Sequence, residues 1–187
     1  MKYFSDVDWL WKNESKNEYN TRYIIRLNTW EASLLWKYVK ISSGDVIEIG
    51  RKYGGSTILI SEALSHTKRK VLSIDPVNAI KDVCQTYIKE NSLRIELIEM
   101  TSQEAHKRIK FNNTDCIFID GDHSYDGVKS DTELFWDYLN LNGYVIYHDC
   151  DIPSQGKVEI FCENWSSQGY MKLVEQKQSM AVFQKIK

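Results

Sequence analysis

The sequence predicts an α/β fold, a doubly wound and mostly parallel sheet of seven strands with an antiparallel C-terminal hairpin and a helical N-terminal cap. Three observations predict it. From residue 45 onward, short β-branched runs alternate with longer segments of helical period. Several of these runs end in glycine or an acid, as strands do when they carry a site at their carboxyl ends. The last two runs are joined by a polar turn too short for a crossover helix.

The first forty or so residues carry Trp9, Trp11, Trp30 and Trp36, and "NTWEASLLWKYVK" reads as an amphipathic helix opened by Asn28 or Thr29. These tryptophans either pack the helix over the sheet or form an aromatic lid on a ligand site. The strand candidates are "DVIEIG" (45–50), "KVLSID" (70–75), "RIELIE" (94–99), "CIFID" (116–120) and "YVIYHD" (144–149). Between them, "STILISEALS", "NAIKDVCQTYIKEN", "SQEAHKRI" and "YDGVKSDTELFWDYLN" can each show an apolar stripe at helical spacing. "YMKLVEQ" and "SMAVFQKI", joined by "KQ", form the edge hairpin. Residues 1–43 are thus an aromatic-rich cap and 44–187 the sheet core of a single domain, 1–187.

Twenty-four basic residues against 26 acidic ones leave a formal charge of -2, with no basic stripe for nucleic acid and no polybasic arm for a membrane. No run approaches the ~18 apolar residues of a membrane span, and "MKYFSDVDWLWKNESK" has no apolar core for a signal peptide. The expected location is cytoplasmic. Cys84, Cys116, Cys150 and Cys162 are widely spaced without a C-x-x-C pair and read as reduced thiols. The expected partner is a small molecule, and homo-oligomerisation is left open.

The first strand ends "EIGRKYGGST", where Gly50 and Gly54 let the backbone turn tightly and Ser56 opens the next helix with exposed amides. The second ends in Asp75, an acid able to accept from both hydroxyls of a ribose. Their spacing fits one βαβ unit and argues for an adenosine-containing cofactor. Arg51 and Lys52 stand where a pyrophosphate loop wants glycines, which argues against nicotinamide or flavin. The fourth strand runs into "DGDHSYDG", with Asp120, Asp122, His123 and Asp126 inside seven positions.

"VIEIGRKYGGST", "LSIDP", "IFIDGDHSYDGVKSD" and "LNLNGYVIYHD", in that order and spacing, resemble class I S-adenosylmethionine-dependent methyltransferases, nearest the small branch of macrocin-type sugar O-methyltransferases. The resemblance implies a Rossmann-like fold, S-adenosylmethionine as cofactor, and O-methylation of a sugar, glycan precursor or other polyhydroxylated small molecule. By the same resemblance, Glu48, Gly50, Gly54 and Ser56 lie along the methionine portion, Asp75 holds the ribose, and Thr101, Ser102 and Gln103 touch the adenine. Asp120, at the cofactor's edge, and Asp149 match ligands for Mg2+ or another divalent cation in metal-dependent members. The third ligand is His148, Cys150 or Asp151.

Chemistry agrees with that implication. A hydroxyl is a poor nucleophile near neutral pH and needs a base or a metal, whereas the sulfonium donor is already activated. Asp120 and Asp149 repel without a counter-charge and can share one hard cation; His123, or failing it Asp122, can take the proton. Two rivals are a non-catalytic cofactor-binding scaffold and a hydroxylase-like relative with a redox metal. "DHSYDGVKSDTE" also fits a calcium-loop template, but it follows a strand where such a loop follows a helix. His66 and His106 read as surface helix residues, and Lys68 to Lys70 as a solvated turn.

Overall fold

A computed structural model describes residues 3–11, 24–110, 112–150 and 157–187. After a 3₁₀ turn at Phe4–Trp11 come α1 (Thr29–Ile41), β1 (Asp45–Ile49), α2 (Gly55–Ala63), β2 (Val71–Ile74), α3 (Asp82–Glu90), β3 (Ile95–Ile98) and α4 (Ser102–Arg108). Then follow β4 (Thr114–Ile119), α5 (Tyr125–Phe135), a 3₁₀ turn at Trp136–Tyr138, β5 (Leu139–Tyr147), α6 (Lys157–Ser167), β6 (Met171–Lys177) and β7 (Met180–Lys185). Among the described residues the strands form one sheet in the order β3-β2-β1-β4-β5-β7-β6. β1 to β5 are parallel, and β7 pairs antiparallel with both β5 and β6.

The burial of each strand follows from its place. β1, β2 and β4 are buried along nearly their whole length, as parallel strands covered on both faces must be. One apolar core joins the sheet to the 3₁₀ turn, α1 and α2, with Cys84 of α3; the other lies under α4, α5 and α6. From β1 the chain moves outward to β2 and β3, then returns to place β4 on β1's other side. That reversal opens a crevice at the carboxyl ends of β1 and β4.

Among the described residues, the four cap tryptophans form no aromatic lid, and all but Trp30 pack. Asn28 closes a capping box on α1, its Oδ1 accepting from the amides of Trp30 (2.9 Å) and Glu31 (3.0 Å) while Glu31 accepts from the Asn28 amide (3.0 Å). Trp36 is buried against Phe4, Trp9 stacks on Tyr87, and Trp11 donates to the Leu27 carbonyl. Trp30 faces outward, and none of the four lines the crevice.

Several elements differ from the sequence-based expectation for local reasons. α3 starts at Asp82, because Pro76 follows Asp75 and the Asp75 carboxylate accepts from the Val77 amide in an Asx-type turn. β5 starts at Leu139 rather than Tyr144, with an irregular register against β4. α6 is an added helix whose stripe Val158, Phe161, Cys162 and Trp165 is buried. Gly54 caps α2 and Gly55 opens it, so Ser56 stands one residue inside.

His66 sits in an exposed turn at φ 67, and His106 is half-buried, edge-on to Phe135 and Tyr138. Arg69 is no solvated turn residue: its guanidinium donates to the carbonyls of Gly44 and Val39 and to Ser42 Oγ. The four cysteines are free and buried. Among the described residues no helix is long and apolar enough to cross a membrane.

Candidate active site

At the end of β1 the chain must pass against β4. Gly50 does so at φ 87, where a Cβ would stand 2.2 Å from the Asp120 carbonyl oxygen, so only glycine fits. The next two amides, of Arg51 and Lys52, both donate to Asp75 Oδ2 at 3.0 Å, and Asp75 Oδ1 accepts from Val77 at 2.8 Å. β1's loop is thereby tied to the end of β2. The result is a cavity of about 940 Å³, at the upper end of small-molecule sites.

Gly50, Ser56, Asp75, Thr101, Ser102, Gln103, Asp120, Asp122, His123, His148 and Asp149 all line this cavity. Two residues expected on it do not. Glu48 is wholly buried behind the wall, accepting from Thr57 Oγ1 (2.5 Å) and Ser73 Oγ (2.6 Å), and burial raises its carboxyl. Strand alternation explains this, since Glu48 points to the α2 face while its neighbours Ile47 and Ile49 point to the other. Gly54 is spent on capping α2, and Gly55 lines the cavity in its place.

The acids meet two histidines at the other end. His123, before α5, sets Nδ1 2.5 Å from Asp149 Oδ2 and Nε2 3.4 Å from Asp120 Oδ1. His148, at the end of β5, sets Nδ1 3.1 Å from Asp120 Oδ1 and 3.4 Å from Asp149 Oδ1, and Nε2 3.5 Å from Glu31 Oε2. Asp149 is aimed inward by a left-handed turn, φ 57. Asp122 does not join them: it is exposed, its Oδ1 accepts from the Ser124 amide at 2.9 Å, and its carboxyl is held low chiefly by that bond.

Burial alone would raise the Asp120 carboxyl, but the bonds from His123 and His148 outweigh it and keep it low. Asp149 is lowered by the same two histidines. In return, bonds to Asp120 and Asp149 lift His123 to about 10. Burial opposes protonation of His148, yet bonds to Asp120, Asp149 and Glu31 carry it to about 12. Both shifts favour the imidazolium form of these rings at neutral pH. The counter-charge that the two aspartates require is therefore present in the chain itself.

This geometry changes the expected ligand set. Asp120, His123 and Asp149 each offer one ligand atom, all within 4.8 Å of one another. Both rings have each nitrogen near a carboxylate, but His148 turns Nε2 to Glu31, outside the Asp120 and Asp149 pair, and Cys150 Sγ is buried, 3.8 Å from the Tyr147 carbonyl. Asp151 lies outside the described residues. The calcium-loop template fails because Tyr125–Phe135 is helical. Glu31 and Asp131 are the acids that sequence reasoning missed; Asp131 lines the cavity with its carboxyl raised by burial. Glu31's only local signal was its capping box, which accounted for it without a site.

A family model described as a methyltransferase domain matches residues 47–150. An uncharacterised protein of Acanthamoeba polyphaga mimivirus is 28% identical over 115 residues, 55% of this chain. The chain spans about half, 50%, of the length of that curated relative. An O-methyltransferase from Bacillus cereus, solved in complex with SAH, has a TM-score of 0.69 at 17% identity, covering 86% of this chain and 82% of that one. A TDP-rhamnose 3′-O-methyltransferase of calicheamicin biosynthesis has a TM-score of 0.62 at 15% identity, covering 83% and 77%.

Proposed function

The chain belongs to the methyltransferase-domain family matched by its residues 47–150, as a class I S-adenosylmethionine-dependent member, and on that premise we propose that it methylates a hydroxyl of a sugar or other polyhydroxylated small molecule. One observation carries the reading: a single cavity joins the Asp75 pocket to the Asp120, His123 and Asp149 cluster. S-adenosylmethionine bound there supplies a methyl group already activated by its sulfonium.

The chain's own residues do the rest. Asp75 accepts three amide bonds and has about one of its four acceptor sites left for a ribose hydroxyl. On this reading Thr101, Ser102 and Gln103, which line the cavity, would meet the adenine, and Gly50, Gly55 and Ser56 the methionine portion. The acceptor hydroxyl belongs at the acid end, held in line with the donor methyl and screened from water.

A divalent cation fits the donor set. Asp120 and Asp149 would hold it through hard oxygens. Its chemistry there would be to lower the pKa of the acceptor hydroxyl. His123, set between the two carboxylates, would accept the hydroxyl proton in its neutral, unligated form.

Calorimetric titration with S-adenosylmethionine and S-adenosylhomocysteine, with and without Mg2+ or Mn2+, tests the reading. Micromolar binding is expected, with turnover on a polyhydroxylated acceptor panel. Asp149→Asn is expected to keep cofactor affinity and lose turnover by about 10²–10⁴-fold. Absence of binding under every condition would remove the cofactor. A second reading, a non-catalytic cofactor-binding scaffold, is favoured by the self-neutralised acids. It predicts tight S-adenosylhomocysteine binding with no turnover and no metal effect.

A further inference from the structure

Asp120 and Asp149 meet at one part of the cavity wall, and another part carries charge of the other sign. Tyr53, in the loop after β1, forms part of the wall. Three cations converge on its ring: the Lys81 ammonium 4.5 Å from the centroid, the Arg26 guanidinium carbon at 5.5 Å and the Lys52 ammonium at 5.8 Å. They come from three separate parts of the chain: the segment before α1, the β1 loop, and the residue that caps α3. The Lys81 amide also donates to the Tyr53 carbonyl at 3.1 Å, which fixes the approach of α3 to the loop.

Among the described residues, none of the three has a carboxylate within salt-bridge distance, although other lysines here, such as Lys37 and Lys70, do. Arg26 and Lys52 also line the cavity directly. A fourth cation, Arg51, lies 2% exposed in the same wall, giving one guanidinium nitrogen to the carbonyls of Ser73 (2.9 Å) and Ile98 (3.1 Å) while its Nε has no partner. Three like charges gathered on one ring repel, and the ring's quadrupole compensates them only weakly. An anion among them relieves that repulsion, and phosphate oxygens suit the mixed lysine and arginine donors.

We propose that the Arg26, Lys52 and Lys81 rim is an anion subsite that takes a phosphate or diphosphate borne by the acceptor. This rests on the methyl-transfer reading above and names its substrate class: a phosphorylated or nucleoside-diphosphate-linked polyhydroxy compound, with its hydroxyl at the acid end and its phosphate at the basic rim. A cofactor carboxylate is the other anion that could reach these cations. One carboxylate balances one of three charges, which leaves the rim still in need of a multivalent partner.

The probe is inorganic pyrophosphate, titrated into the full chain in the absence and presence of saturating S-adenosylhomocysteine, with sulfate as control. Pyrophosphate is expected to bind the loaded protein, to shift the NMR signals of Tyr53 and Lys81, and to weaken as salt rises. Arg26→Gln/Lys81→Gln is expected to weaken pyrophosphate at least tenfold while S-adenosylhomocysteine affinity changes less than threefold. An equal loss of both ligands would assign the rim to the cofactor carboxylate and overturn the proposal. So would no pyrophosphate binding, or binding that the double variant leaves intact. If S-adenosylhomocysteine fails to bind while pyrophosphate still maps to Tyr53, the methyl-transfer reading falls and the anion subsite stands.

Discussion

Glu31 on α1 and His148 at the end of β5 form an ion pair across the top of the sheet, Oε2 to Nε2 at 3.5 Å, with side chains 5% and 11% exposed. The same carboxylate accepts from Asn28 N at 3.0 Å and from Ser179 Oγ at 2.5 Å. One acid therefore caps its own helix, fixes the β6–β7 turn, and backs the histidine that faces Asp120.

Removing that acid leaves four donors without their acceptor: the Asn28 and Ser179 amides, the Ser179 hydroxyl and His148 Nε2. Glu31→Ala is expected to destabilise the protein by about 3 kcal/mol, the range for breaking one side of a buried pair. Glu31→Gln keeps some of the bonds and should cost about 1–2 kcal/mol. Burial alone would raise Glu31, but bonds from His148, Ser179 and Asn28 bring it from 4.5 down to about 2. A depressed carboxyl stabilises the fold above its unfolded value and loses that contribution as pH falls through the folded one. The stability gap between the native protein and Glu31→Gln should therefore hold at pH 7 and narrow from pH 4.5 toward 2. Urea denaturation across that range checks it, and a gap independent of pH would contradict the ionic role.

The two histidines should not behave as free imidazoles. With His123 lifted to about 10 and His148 to about 12 by their carboxylates, both rings of the metal-free protein should show imidazolium nitrogen shifts at pH 7. Neither should titrate between pH 5 and 8. Their stabilisation is complete below 6.5 and is lost as pH rises through the folded values, so it belongs to the alkaline limb. A ring titrating near 6.5 in the folded protein would show that the short contact between His123 and Asp149 does not persist in solution.

Arg69 offers a purely structural prediction. Its guanidinium gathers the carbonyls of Gly44 and Val39 and the Ser42 hydroxyl, joining the end of α1 to the start of β1. Each bond carries a charged donor, so Arg69→Ala should cost about 2–3 kcal/mol. Lysine presents a point charge in place of the planar fork, and Arg69→Lys should recover less than half of that loss. Cofactor affinity should be unchanged in both variants, because Arg69 lies outside the cavity wall.

These residues also mark what the sequence could and could not reveal. β1, β2 and β4 were legible because a parallel strand covered on both faces reads as a near-continuous apolar run, broken here only by buried polar residues such as Glu48 and Ser73, and their last residues lie at the crevice by topology alone. The early start of β5 was not, because Asn140, Asn142 and Gly143 break the apolar pattern there. Glu31 escaped because its role depends on α1 crossing to the β6–β7 turn, a contact no local pattern encodes. Arg69 escaped because a side chain can leave an exposed turn and bury its head elsewhere. The sequence offered His123 as a candidate proton acceptor, but only the fold shows that Asp149 reaches its ring.

Asp75 decides whether the cavity's cofactor end is built as described. Its Oδ2 accepts from two consecutive amides, Arg51 and Lys52, and its Oδ1 from Val77, so the carboxylate both shapes the β1 loop and faces the cavity. In Asp75→Asn one oxygen becomes an NH2 group, and either the Arg51 and Lys52 amides or the Val77 amide then faces a donor. If the paired amides keep the oxygen, the loop holds and the loss falls on the Val77 turn and the ribose hydroxyl. About 1.4–3 kcal/mol is expected from such a lost charge-assisted acceptor. That corresponds to S-adenosylhomocysteine affinity weakened about 10- to 150-fold. Asp75→Ala removes the acceptor for all three amides and should also lower the thermal midpoint, whereas the Asn variant should keep it within a few degrees. Calorimetry on both variants separates the two roles. Unchanged affinity in Asp75→Asn would place the ribose elsewhere and leave Asp75 as a loop-forming residue alone.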